Sequence, residues 1–125
     1  MLGAADVMAF VVASDPDAAR TFYAETLGLR FVSDEEYALV FDCNGTMLRI
    51  QKVPGHVAAA YTVVGWRVAD IASAVASLRS RGVRFEQYGF ATQDGEGIWT
   101  TPDGTKVAWF KDPSGNLLSL TQFVR

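Results

Sequence analysis

Two stretches of this chain carry the same hairpin 70 residues apart, and that internal repeat limits the folds open to it. In the second copy, Phe110-Lys111-Asp112-Pro113-Ser114-Gly115-Asn116-Leu117-Leu118-Ser119-Leu120 reads as strand, tight turn, strand. Pro113 presets the first turn angle and Gly115 supplies left-handed freedom. Beyond the turn, Leu118 and Leu120 share one face and Leu117 and Ser119 the other. Asp42, Gly45, Leu48 and Ile50 match Asp112, Gly115, Leu118 and Leu120 at the offset of 70. Upstream, Asp15 and Asp70 lie 55 apart, and Gly28-Leu29-Arg30-Phe31 and Gly82-Val83-Arg84-Phe85 lie 54 apart. The jump from 54 to 70 is an insertion of about 16 residues in the second half, between Gly89 and Gly104.

Each copy reads as β-α-β-β-β. Val7 to Ala13 is an unbroken apolar run, expected to be a strand covered on both faces. Asp15-Pro16-Asp17 opens a helix: an N-cap, a proline at the first position, and an acid favoured by the helix dipole. Ala19, Phe22, Tyr23 and Leu27 form its apolar stripe, and Gly28 its C-cap. Strands follow over Leu29–Val32, Tyr37–Asp42 and Thr46–Val53, with a turn at Asp42-Cys43-Asn44-Gly45. After the Pro54–Ala60 connector, Tyr61–Val68 is a strand. Asp70 caps a second helix with the stripe Ile71, Ala74, Val75 and Leu78, closed by Gly82. Val83–Tyr88 is then a strand, and Trp99–Thr101 and Lys106–Lys111 form a hairpin.

At 125 residues the chain is long enough for one domain, residues 1–125, with module 1 at about 5–53 and module 2 at about 60–125. Its net charge of −3 argues against a nucleic-acid or anionic-membrane partner, since both demand a basic patch. No apolar run approaches the roughly 20 residues of a membrane span. The N-terminus lacks the charged start and apolar stretch of a signal peptide. Cys43 is the only cysteine, so neither an intrachain disulfide nor a cysteine-based zinc cluster is available. A cytoplasmic protein is expected.

The paired β-α-β-β-β modules, the Asp-Pro-Asp helix start, Phe22-Tyr23 before Leu27-Gly28-Leu29, and Asp112-Pro113-Ser114-Gly115-Asn116 together resemble the vicinal oxygen chelate superfamily. That group holds glyoxalase I, extradiol dioxygenases, fosfomycin-resistance enzymes and bleomycin-resistance binding proteins. The resemblance covers essentially the whole chain. It implies an α+β fold in which two βαβββ modules form a curved mixed sheet around a cleft. It also implies a homodimer, because module pairing in the family often crosses subunits. Members share architecture while their chemistries differ.

In the metal-using members, the first and fourth strands of each module each offer one ligand to the cleft, usually His, Gln or Glu. By position these fall on Met8, Arg49, Val63 and Ser119. Arg49 lies four after Gly45 and Ser119 four after Gly115, so the repeat supports the register. A guanidinium has no lone pair to give, valine has no donor atom, and a thioether suits soft copper(I). The residues beside each position do not restore a ligand set, and the single histidine, His56, lies in the connector. Neither a metal nor another cofactor is therefore expected.

Strand parity adds Phe10 and Val12 to Met8, Met47 and Gln51 to Arg49, Tyr61, Gly65 and Arg67 to Val63, and Leu117 and Thr121 to Ser119. The expected ligand-binding cleft is thus Met8, Phe10, Arg49, Gln51, Tyr61, Val63, Arg67, Ser119 and Thr121: apolar and aromatic, with two arginines suited to an anion or a flat π surface. Gly65 would leave room for a ligand to approach the backbone. Alternatives stand beside these readings. Arg49 either reaches a ligand or pairs with an acid such as Glu86. Arg67 either faces the cleft or solvent. Met8 and Phe10 either line the cleft or belong to the core. Trp66 has the opposite parity and packs on the helices. Tyr88, Phe90 and Trp99 form a lid or stacking wall, or a dimer contact. Nucleophilic catalysis finds no Ser-His-acid set; acid–base work through Glu86 or Tyr61 depends on whether they converge. The leading expectation is metal-independent binding of a small molecule, with drug or metabolite sequestration as its use. The alternative is a lyase, isomerase or dioxygenase with a displaced or absent metal site, and the residues alone do not decide whether the chain is an enzyme.

Overall fold

A computed structural model describes residues 1–89 and 92–124. The first half runs β1 (Met8–Ala13), α1 (Pro16–Thr21), β2 (Arg30–Asp34), β3 (Ala38–Cys43) and β4 (Thr46–Lys52). The second runs β5 (Thr62–Arg67), α2 (Ile71–Ser80), β6 (Trp99–Thr100), β7 (Lys106–Lys111) and β8 (Leu117–Gln122). Each half makes a mixed four-stranded sheet, in the orders β1-β4-β3-β2 and β5-β8-β7-β6, with the first and last strands of each half parallel. The two halves meet where β1 and β5 lie side by side. Among the described residues, no helix is long and apolar enough to cross a membrane.

The helix boundaries follow from the capping residues. Asp15 accepts from Ala18 N at 3.1 Å and Asp70 from Ser73 N at 3.1 Å, each satisfying an amide the helix cannot. Gly28 (φ 75°) and Gly82 (φ 93°) take the left-handed positions that end the two helical segments. The first helix changes character before it stops. Phe22–Thr26 is a π-helical turn, closed by Leu27 N donating to Phe22 O at 2.9 Å. That turn carries Phe22 and Tyr23 into the core, where Tyr23 is fully buried.

Alternation along the strands then divides each sheet into a helix face and an open face. Val11, Ala13, Leu48 and Ile50 pack with Ala19 and Tyr23, and Leu118 and Leu120 with Ile71 and Val75, in one cluster that spans both halves. The two halves are tied by Asp112. Its carboxylate accepts from Tyr23 Oη at 2.6 Å, Ser114 N at 2.9 Å, Asn116 N at 2.9 Å and Asn116 Nδ2 at 2.8 Å. Asn116 Nδ2 also donates to Val12 O at 2.7 Å, and Ser14 N to Ser114 Oγ at 3.1 Å.

Three expectations are corrected. Val83–Tyr88 is not a regular strand: only Phe85 bridges to Phe110, with Glu86 N donating to Trp109 O at 2.8 Å. The insertion explains this, because β6 occupies the neighbouring stretch of β7 at Lys106 and Val107. In this chain β1 is covered on one face only, with Met8 48% and Phe10 46% exposed on the other. In β5, a bulge between Thr62 and Val64 shifts the pairing, so that Thr62 stands opposite Leu117 and Val63 packs against the core.

Tyr23→Phe is expected to lower stability by about 1–3 kcal/mol in urea unfolding, because Asp112 loses a donor it cannot replace from water. Burial, reinforced by Asp112, pushes the Tyr23 hydroxyl well above its ordinary value of 10.0. A raised pKa in the folded state stabilises fully below the unfolded pKa and is lost as the pH climbs past it. The gap between wild type and Tyr23→Phe should therefore be constant below about pH 10 and narrow above it by about 1.4 kcal/mol per pH unit. A gap that does not change with pH would show that the hydroxyl ionises in the folded protein as it does in the unfolded chain.

Candidate ligand-binding faces

The expected cleft residues fall into two groups, one on the open face of each sheet. Met8, Phe10, Arg49 and Gln51 share the first, where parallel pairing sets Phe10 beside Arg49 and Val12 beside Gln51. Arg67, Ser119 and Thr121 share the second, with Arg67 opposite Thr121 and Gly65 opposite Ser119. Val63 is turned toward the core by the bulge, and Tyr61 precedes β5 and is 69% exposed. Trp66 packs on the core cluster beneath the helices, as its parity predicts.

The first face is apolar and open at one end and ionic at the other. Met47, 40% exposed, joins Met8 and Phe10. Arg49 is paired, with Glu35 at 3.3 Å and not with Glu86. Glu35 also accepts from Ser33 Oγ at 3.1 Å, and its backbone carbonyl from Lys52 Nζ at 2.7 Å, while Lys52 also holds Asp34 at 2.5 Å.

The second face is partly roofed. Ser119 fills the space above Gly65, its Oγ standing 2.7 Å from where a Cβ would sit. Gly65 therefore serves the β5–β8 contact, not a ligand approach. Leu117 and Ser119 are buried although they point away from the helices. Part of their surroundings is an aromatic wall. Trp99 and Trp109 stack with centroids 6.0 Å apart and an interplanar angle of 22°, and Tyr88 meets Trp109 edge-on at 5.5 Å. The inserted segment holds Tyr88 and Trp99 through its own polar side chains. Gln93 Oε1 accepts from Tyr88 N at 2.6 Å, while its Nε2 donates to Glu86 O at 2.8 Å and Gly97 O at 2.7 Å. Asp94 Oδ1 accepts from Glu96 N and Ile98 N, both at 2.9 Å. Of the three aromatic residues first singled out around the insertion, Tyr88 and Trp99 form this wall and Phe90 lies outside the described residues.

Trp109 was missed, yet a signal was present. Counting back through the Asp112–Asn116 turn pairs it with Ser119, on the same face. Missed with it was a pocket of about 430 Å³ beside this wall, lined by Ala58, Ala59, Ala60, Tyr88, Lys111 and Leu117. The connector residues have no strand parity from which their position might have been read.

Chemically, the four family ligand positions offer a thioether, a guanidinium, an alkyl group and a hydroxyl. That is no donor set for the divalent ions a cleft of this kind would take. Among the described residues, no group of three or more His, Cys, Asp or Glu side chains gathers elsewhere to hold one. Burial, and after it Asp42, pushes the Cys43 thiol upward, which leaves it a poor nucleophile. Burial, then the Glu86 carboxylate, pushes the Tyr88 hydroxyl upward, so it stays a hydrogen-bond donor at neutral pH.

Compared with known proteins, residues 5–120 match the sequence model of the Glyoxalase/Bleomycin resistance protein/Dioxygenase superfamily. None of the curated proteins compared with the chain matches it. Several solved structures do. TnmS3, an antibiotic binding protein from Streptomyces sp. CB03234, is 27% identical with a TM-score of 0.72, over 97% of this chain and 98% of its own. A member of the same superfamily from Sphaerobacter thermophilus DSM 20745 is 23% identical with a TM-score of 0.75, over 98% and 100%. A lactoylglutathione lyase from Agrobacterium tumefaciens is 19% identical with a TM-score of 0.72, over 94% and 93%.

Gln93→Ala should release the segment that holds Tyr88 and Trp99. The expected outcome is loss of near-ultraviolet circular dichroism from the stacked indoles and faster iodide quenching of tryptophan fluorescence. The far-ultraviolet spectrum should be unchanged, because the sheets and helices do not depend on Gln93.

Proposed function

This chain belongs to the Glyoxalase/Bleomycin resistance protein/Dioxygenase superfamily, and from that premise we propose that it is a metal-independent binding protein for a small organic molecule. In this reading it sequesters a drug or metabolite and acts as a cytoplasmic homodimer, without nucleic acid or membrane as a partner. One observation carries the reading: the architecture is complete, while the positions that would hold a metal carry Met8, Arg49, Val63 and Ser119. The antibiotic-binding relative, at 27% identity over nearly the whole of both chains, supports it. So do the two open faces, which combine apolar and aromatic surface with a few polar groups, as small-molecule sites do.

The homodimer rests on the first open face. Met8, Phe10 and Met47 expose a contiguous apolar surface, of the kind that marks an interaction site. A second copy covering it would bury both sides of β1, which the unbroken apolar run Val7–Ala13 favours.

Protein purified without a metal-affinity tag is expected to carry far less than one metal ion per chain by elemental analysis. It should also gain several degrees in Tm from one class of small organic compound, because a ligand that binds only the folded state stabilises it. One metal per chain, or turnover of a substrate that is abolished by chelation, would favour an enzyme instead. Phe10→Glu is expected to convert a dimer to a monomer in sedimentation equilibrium with the circular dichroism unchanged. If both proteins sediment alike, the interface lies elsewhere.

A further inference from the structure

The pocket under the connector combines features that the first open face lacks. Its lining includes Leu117, the Ala58–Ala60 run and Tyr88, whose ring meets Trp109, which in turn stacks on Trp99. The connector is seated against the hairpin turn, Ala58 Cβ lying 3.6 Å from where a Cβ on Gly115 would be. Three successive alanines leave the connector's part of the lining without polar side chains. At the rim is Lys111, opposite Leu117 in the β7–β8 ladder, solvent-exposed and without an ion-pair partner among the described residues. The arginine of the first open face, by contrast, is already neutralised by Glu35.

We propose that this pocket is the ligand site and that it takes a planar aromatic anion. Its ring would lie between the Ala58–Ala60 run and the Tyr88–Trp109 wall, and its charge would sit on Lys111. The inference rests on the small-molecule-binding reading above and deepens it. The volume of about 430 Å³ suits a fused two- or three-ring compound. An apolar slot with an aromatic side rewards a flat ring by area and stacking geometry. An exposed ammonium at its mouth selects an anion over the neutral isostere, because a charge-assisted hydrogen bond is about twice as strong as a neutral one.

The test uses 2-naphthoate, its neutral amide 2-naphthamide, and the non-aromatic anion cyclohexanecarboxylate. Each is titrated into the wild-type protein and into Lys111→Gln, with tryptophan fluorescence and methyl chemical shifts as readouts. The expected result is saturable binding of naphthoate that shifts the methyls of Ala58–Ala60 and Leu117. Lys111→Gln should weaken naphthoate about tenfold, leave naphthamide unchanged, and abolish the preference for the acid. Cyclohexanecarboxylate should bind wild type at least tenfold more weakly than naphthoate. Lys111 is exposed, so its replacement should not perturb folding, and an unchanged Tm checks this. The inference is overturned if naphthoate does not bind, if it binds both proteins equally, or if its shifts fall on the methyls of Met8 and Met47. In that last case small-molecule binding stands and only the pocket is wrong. Failure of the broader reading looks different: one metal ion per chain, or turnover abolished by chelation.

Discussion

The arrangement of the two halves depends on one buried carboxylate. Asp112 is 6% exposed, and no ion pair to it is found among the described residues. An isolated charge is costly to bury unless hydrogen bonds replace its water shell. Here four neutral donors do so, two from the turn backbone, one from Asn116 and one from Tyr23 in the other half. The repeat shows how special this is. The matching aspartate of the first half, Asp42, is partly exposed, has Arg30 at 3.7 Å, and among the described residues its carboxylate receives only Gly45 N, at 3.4 Å. At the helix, the position 55 residues after Tyr23 is Leu78, which has no hydroxyl to give. The clamp therefore exists once, and it breaks the symmetry of the duplicated plan.

That asymmetry marks what was legible in the sequence and what was not. Features fixed by local chemistry were readable: the Asp15 and Asp70 caps, the Gly28 and Gly82 stops, the Asn44-Gly45 and Pro113–Gly115 turns, and the parity of β1, β4 and β8. Each depends on neighbours within a few residues. Features decided by a competing partner were not. Val83–Tyr88 has the composition of a strand, but β6 takes part of the edge it would need. Val63 fits the alternation of Tyr61–Val68, but a single bulge against β8 turns it inward. The stripe through Phe22 and Tyr23 reads as ordinary helix, while the chain widens to a π turn there.

The candidate site divides along the same line. Parity was enough to put Met8, Phe10, Arg49 and Gln51 on one face, because β1 and β4 are regular. It was not enough to name what Arg49 meets, since Glu35 sits in a loop just beyond β2 and reaches it across the edge of the sheet. On the second sheet, the connector and the insertion supply much of what surrounds Leu117 and Ser119, and neither has a period to read. The insertion is the larger departure from the repeat. It folds through Gln93 and Asp94, whose side chains substitute for the strand partners the segment lacks, and it builds an aromatic wall for which the first sheet has no counterpart.

The open faces explain why architecture and chemistry can separate in such a chain. The core cluster lies on the helix sides of both sheets, and Asp112 joins the halves from a turn. Met8 and Arg49 contribute little to either, and Ser119 contributes through its contact with Gly65 and not through the helices. A residue on the open face can therefore be a metal ligand, an apolar contact or a charged group without altering what holds the fold together. Similarity of backbone to a lyase and to an antibiotic binding protein is then the expected consequence of one core serving several faces. The side chains on those faces carry the functional argument. Here they are a thioether and a phenyl ring left open on one sheet, and a stacked pair of indoles beside an exposed ammonium on the other.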